Sequence, residues 1–278
     1  MNKISNIFYK NQWKKSLSKQ NYFRKSLVNK KIFTYAESNN SDLKNIILSA
    51  REGLKKNKNL KLKQRKAFLY KIYTIIKKQH KILAHIETLE TGKNFDDAKK
   101  EVLHSANIWL YASKLIKNFN YNQKLNNRYL ANVIYEPVGI VALIVPWNFP
   151  FVVISERLPF ILAAGNSVII KPSEYASQSL ISLMNIIKKT NLPSGIVNLI
   201  TGSGPRVGSM ITKNKNINMI SFTGSTIVGK KIMQNSSKTI KRLSLELGGK
   251  NSFIVLDDAD INRTVNIIID SFTGNAGQ

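Results

Sequence analysis

The chain reads as an α/β protein, a parallel β-sheet covered by helices on both faces. Two observations predict this. From residue 139 onward, short apolar runs alternate with amphipathic helical stretches. The runs IVALIV (140–145), SVII (167–170), IVNLI (196–200) and MISF (219–222) are near-continuous rather than alternating, as strands buried on both faces are. Each run ends in a loop carrying Gly, Pro, Lys or Ser, and loops at the carboxyl ends of such strands are where open α/β sheets bind ligands.

In chain order, residues 1–36 contain no acid, and Glu37 is the first. Such a segment resembles an organellar targeting sequence, but it is rich in Lys rather than Arg. FYKNQWKK reads better as a short strand or turn, and a cytoplasmic protein is expected. Residues 42–55 have helical spacing, with Leu43, Ile46, Ile47, Ala50 and Leu54 on one face. Helices continue through 62–91, with Leu69, Ile72 and Ile76, then Leu83 and Ile86, before Gly92 as terminator. The first third is therefore expected to be a helical layer. Residues 115–138 are aromatic, polar and β-leaning, with turn formers, and read as strands of an arm. Between the later strands, helices are expected over 155–164, ending at Gly165, over 177–190, and from the stretches PRVGSMIT and TIVGKKIM.

Composition narrows the function. The 278 residues are 43% apolar, enough for a real core. No apolar run reaches the roughly 18–20 residues of a membrane-spanning helix. There is no cysteine, so neither a disulfide framework nor a thiolate metal site can form. His80, His85 and His104 are scattered, and no metal site is expected from them. The net charge of +27 is that of a nucleic-acid binder or of Lys-rich solvated faces. No nucleic-acid-reading motif accompanies it, and charge alone supports only non-specific contact.

Four strand-end loops carry candidate chemistry: PWNFP (Pro146–Pro150), KPSE (Lys171–Glu174), TGSGPRVG, and TGST (Thr223–Thr226). Singly each has an ordinary explanation. Gly202, Gly204 and Gly208 are spaced one residue away from the dinucleotide fingerprint and suit a tight turn equally well. Gly224 and Ser225 at a helix start suit an anion or a plain cap. Lys171 could meet a ribose or phosphate or simply be solvated, and Glu174 could take ribose hydroxyls or cap a helix. Together they supply a cation with an acid, a glycine turn and a hydroxyl-bearing helix N-terminus, the inventory a dinucleotide needs. Further on, ELGGK places Glu246 before two glycines in otherwise apolar surroundings. That is either a surface acid before a turn or a carboxylate suited to general-base work.

EPVGIVALIVPWNFP, LPFILAAGNSVIIKPSE, ISFTGSTIVGKKIM and LSLELGGKNSFIVLDDADI resemble, in order and spacing, the NAD(P)-dependent aldehyde dehydrogenases. The resemblance runs from about residue 30 to the end and is densest over 136–278. It implies a Rossmann-like cofactor domain and the oxidation of an aldehyde to a carboxylic acid with NAD. It implies that Asn148 completes the oxyanion hole and that Glu246 activates water for thioester hydrolysis. Lys171 and Glu174 would hold the adenosine ribose, Gly224 and Ser225 the pyrophosphate, with Trp147 beside the cofactor. Glu174 favours NAD over NADP, because a carboxylate repels a 2′-phosphate. The resemblance also places the family's cysteine two residues beyond Gln278, so the chain reads as an N-terminal piece, inactive alone. The expected division is 1–114 with 139–247 as the cofactor domain, 115–138 as an arm joining a homo-oligomer, and 248–278 as the start of the catalytic domain. The other readings are a nucleotide-binding module without catalysis and a basic nucleic-acid-binding protein.

Overall fold

The computed structural model describes residues 6–117, 121–124 and 130–277. The chain opens with four strands. β1 (Ile7–Tyr9) and β2 (Gln12–Lys14) form a hairpin, and β3 (Asn21–Lys25) and β4 (Ile32–Ala36) pair as a separate two-stranded sheet. Three helices follow. α1 (Asn40–Lys58) starts at a capping box in which Asn39 and Asp42 satisfy each other's backbone N–H. α2 (Leu62–Thr91) is one unbroken helix of 30 residues. Gly92 ends it at φ +77°, a left-handed conformation that glycine adopts without steric cost. α3 (Phe95–Leu115) then packs back along α2. β5 (Tyr121–Lys124) and β6 (Leu130–Val133) make a small ribbon where the arm was expected. The rest of that stretch from 118 to 129 lies outside the described residues.

The strand–helix alternation then appears as the apolar runs predict. β7 (Ile140–Ile144), α4 (Pro150–Ala163), β8 (Ser167–Lys171), α5 (Gln178–Lys188) and β9 (Val197–Leu199) come first. A π-helical turn at Gly204–Gly208 leads into the short α6 (Ser209–Lys213). β10 (Met219–Gly224), α7 (Thr226–Ser237), β11 (Arg242–Leu247) and α8 (Ile261–Gly277) complete the chain.

The main sheet has the order β11-β10-β7-β8-β9-β1-β2. Its first five strands are parallel, while β1 runs antiparallel to β9 and β2 antiparallel to β1. Side chains alternate between two cores, as the pleat requires. Val141, Leu143, Val168 and Ile170 face α2, α3, α4 and α5. Ile140, Ala142, Ile169 and Ile220 face α1, α6 and α7. Helices on both faces are thus observed, as expected.

Two expectations need correction. The first third is not purely helical, since β1–β4 precede α1. FYKNQWKK does form a hairpin, and it extends the main sheet. α4 begins at Pro150, five residues before the expected start at 155. Val152, Val153 and Ile154 read as strand-like by β-branching, but Pro150 at the first helical position initiates the helix.

Candidate functional site

β8 and β9 extend from one side of β7, while β10 and β11 lie on the other. The connections therefore reverse direction between β7 and β10. At that switch point the connections out of the two strands run to opposite faces of the sheet, α4 on one and α7 on the other, an arrangement that leaves a crevice beyond the carboxyl ends of the strands. Trp147 and Asn148 leave β7 on one side of it, and Gly224 and Ser225 leave β10 on the other. Lys171 and Glu174 come from the next strand, and Gly204 and Gly208 from the one beyond.

Lys171 is 2% exposed at the end of β8. Its Nζ donates to the Pro172 carbonyl at 2.9 Å and lies 3.5 Å from Glu174 Oε2. Burial pulls the ammonium below the ordinary lysine range, and Glu174 opposes that. Glu174 turns its other oxygen, Oε1, to the Gly204 N–H at 3.0 Å. Burial alone would raise this carboxyl, but Lys171 and the Gly204 N–H outweigh it and hold it below the usual range. One carboxylate thus ties the β8 loop to the glycine loop after β9.

Glu37 ties the same glycine loop from the other side. Its carboxylate accepts from the Ser203 N–H at 3.0 and 3.1 Å and from the Ser203 hydroxyl at 2.8 Å. Sequence reasoning missed this residue, although its place as the first acid of the chain was a signal. The glycines of the loop divide by role. Gly202 sits at φ +141°, and a Cβ there would come 2.3 Å from Val207 Cγ2, so the fold itself requires glycine. A Cβ on Gly204 would meet only Glu174 Oε1 at 3.6 Å, and one on Gly208 only Lys171 Cε at 4.0 Å. Internal packing does not require either to be bare.

Across the crevice, Ser225 is the N-cap of α7, its Oγ accepting from the Val228 N–H at 3.4 Å. Trp147 is 44% exposed, beside a cavity of about 490 Å³ shared with Arg24, Glu90 and Tyr175. Asn148 is half-buried. Its Oδ1 accepts from the Phe149 N–H at 3.1 Å, leaving Nδ2 as its donor.

Glu246 takes the exposed one of the two settings that its sequence allowed. It is the fifth residue of β11, opposite Thr223 of β10, and the glycine turn begins only after Leu247. Its side chain is 60% exposed and lies 3.3 Å from Arg157 of α4. The side chain stands in the open on the last strand of the sheet order, not in an apolar pocket. The chain after it is largely exposed, including Phe253, Ile254, Leu256, Ile261 and Phe272.

Sequence reasoning also missed the buried acids of α2. Glu90 accepts from the N–H groups of Ser177, Gln178 and Ser179 at the start of α5 and from the Tyr35 hydroxyl. Glu87 pairs with Lys93. The only hint was the polar cluster at the end of a long helix. Among the described residues, no three His, Cys, Asp or Glu side chains gather so as to hold a metal, and no helix is long and apolar enough to cross a membrane.

Residues 13–278 match the model of the aldehyde dehydrogenase family. The chain is 36% identical over 213 residues to an aldehyde dehydrogenase of Agaricus bisporus, covering 76% of this chain and 43% of that protein. It is 31% identical over 281 residues to a betaine aldehyde dehydrogenase of Bacillus subtilis, covering 98% and 56%. Its fold superposes with a TM-score of 0.95 on the crystal structure of an NAD-dependent aldehyde dehydrogenase from Sinorhizobium meliloti, at 30% identity, covering all of this chain and 57% of that one. The chain thus spans about half the length of the relatives it matches.

Proposed function

The chain belongs to the aldehyde dehydrogenase family, and on that footing we propose that it forms the NAD-binding portion of an enzyme that oxidises an aldehyde to a carboxylate. The balanced reaction is R-CHO + NAD⁺ + H₂O → R-COO⁻ + NADH + 2 H⁺. The observation that carries the proposal is the Lys171–Glu174–Gly204 link at the strand ends. Glu174 still has lone pairs for two ribose hydroxyls after its two internal bonds. Gly204 and Gly208 leave bare backbone beside it for the flat part of a nucleotide. On these grounds the residues present fit the cofactor. The N-terminus of α7 at Ser225 faces the same crevice and suits a pyrophosphate. The cofactor, when bound, supplies the hydride acceptor.

This chain's residues have three tasks in that reaction. Lys171, Glu174, Gly204, Gly208, Gly224 and Ser225 bind and orient the dinucleotide, with Trp147 against it. Nδ2 of Asn148 donates to the oxygen that becomes an oxyanion when a nucleophile adds to the aldehyde carbon. Glu246 takes a proton from the water that releases the acid. It starts from an exposed position with Oε1 beside Arg157, which leaves Oε2 to accept the proton. The nucleophile itself, a thiol, is supplied from outside these 278 residues, which contain no cysteine. Glu174 favours NAD over NADP by repelling a 2′-phosphate.

The division into a cofactor domain (1–114 and 139–247), an arm (115–138) and the start of a catalytic domain (248–278) belongs to the same proposal. So do a homo-oligomer built through the arm and a cytoplasmic location. The rival reading is a nucleotide-binding module without catalysis. Isothermal titration of the chain with NAD and NADP tests the common element. Saturable binding, tighter for NAD and weakened in Lys171→Met, is expected. No binding of either nucleotide would refute both readings.

A further inference from the structure

We propose that Lys93 is a positioning residue for Asn148: its ammonium, clamped between Glu87 and Glu101, holds the Phe149 ring and with it the loop carrying the oxyanion donor. The inference rests on the role proposed above for Asn148. Lys93 follows the glycine that ends α2, and its side chain is 1% exposed. Its Nζ lies 3.1 Å from Glu87 Oε1, 2.5 Å from Glu101 Oε2 and 4.5 Å from the Phe149 ring centroid. An ammonium has three donors. Two reach carboxylates, and the remaining side of the charge meets the ring, where the π-face attracts a desolvated cation.

Stability is a poor reason for this cluster. Burying charges is costly, and apolar residues of like volume are often as stable. Glu87 even keeps its second oxygen buried without a hydrogen-bond partner. The geometry points instead to the loop. Phe149 is the residue after Asn148 and the N-cap of α4, and it gives the helix no side-chain capping bond. Its N–H donates to Asn148 Oδ1, and its carbonyl accepts the first helical bond, from Val153, at 3.0 Å. A ring fixed by Lys93 therefore fixes both the helix entry and the amide that must present Nδ2. Thr91 braces the other end, since its Oγ1 donates to the Glu87 carbonyl at 2.8 Å and accepts from the Lys93 N–H at 3.4 Å.

Hydrogen exchange of the chain, read by mass spectrometry over Trp147–Val153, tests this without cofactor or turnover. Two variants approach from opposite sides. Phe149→Leu removes the ring but leaves the charges. The double variant Lys93→Met with Glu87→Gln removes the cation and its fully buried acid, leaving only Glu101, the more exposed of the two partners, to be met by solvent. Both are expected to speed exchange in this segment by a few-fold to about thirtyfold, the range cation–π contacts span from exposed to desolvated sites, with α2 and α3 unchanged. Unchanged loop exchange in Phe149→Leu would overturn the proposal. So would acceleration spread evenly over α2 and α3, which marks a merely structural role. If the double variant does not fold, Phe149→Leu decides alone. Titration of the unaltered chain with NAD, run alongside, separates the two claims: failure to bind sinks the cofactor reading and leaves the exchange result standing.

Discussion

Replacing Glu90 by alanine tests how the α2 helix supports the cofactor loops. Glu90 is 5% exposed. Its Oε1 accepts from the N–H of Ser177 at 2.6 Å and of Gln178 at 2.7 Å, and from the Tyr35 hydroxyl at 2.8 Å. Its Oε2 accepts from the N–H of Gln178 at 2.9 Å and of Ser179 at 3.2 Å. Glu90→Ala would strand three backbone N–H groups and one hydroxyl. Each such donor costs roughly 1–3 kcal/mol when buried unpaired. Water entering the vacated space favours the low end, so about 4 kcal/mol is expected, a large share of the ~5–15 kcal/mol of a typical domain. Glu90→Gln keeps one acceptor oxygen but points an amide donor at N–H groups, and should lose about half as much. Burial pushes the Glu90 carboxyl up to about 7 against the pull of its N–H donors, so unfolding by urea is best followed at about pH 8, where it is ionised. Comparable m-values would confirm that stability alone has changed. NAD affinity should fall with stability, because α5 begins just past Glu174. A loss below about 1 kcal/mol in Glu90→Ala would refute the reasoning, since four stranded donors cannot cost so little.

The remaining predictions concern the loops and the reaction. Glu174 titrates below the ordinary value of 4.5, so its contribution is present above about that pH and lost as the pH falls. Stability should drop more steeply from about pH 5 to about pH 3 in the unaltered chain than in Glu174→Gln, and parallel curves would count against the link. Gly202→Ala, at φ +141°, should destabilise the chain by about 1–3 kcal/mol. Gly208→Ala should leave the urea midpoint nearly unchanged yet weaken NAD, and a folding defect of equal size in both would remove the distinction between the two glycines. In an enzyme completed by a cysteine-bearing catalytic portion, Asn148→Ala should slow acylation ~10²–10³-fold. Glu246→Gln should give a burst of NADH and then a slow steady state. Its exposed pairing with Arg157 is worth little to folding, so unchanged turnover there would rule out its role as base. The chain alone should self-associate through the exposed Phe253, Ile254, Leu256 and Phe272, which a sharp monomer peak in size exclusion would contradict.

The amino-acid sequence by itself determined the parallel sheet, the order of its strands and helices along the chain, and the loops that form the crevice. Those features are local. A continuous apolar run such as 140–144 has few alternatives to a buried strand, and Gly92 ends α2 wherever the rest of the chain lies. The family's motifs occupy the same short loops, so Asn148, Lys171, Glu174 and Ser225 were all legible as candidates. Tertiary structure decided what those loops rest on. Glu37 meets Ser203 across 166 residues of chain, Glu90 meets Ser177 across 87, and Phe8 pairs with Leu199 at the sheet edge. No periodicity encodes such partners, because a buried acid and a solvated one look alike until packing removes the water from one of them. Glu246 shows the converse. Its sequence allowed either a surface acid before a turn or a base in apolar surroundings, and only the fold shows that β11 ends the sheet with Glu246 and Leu247 both exposed.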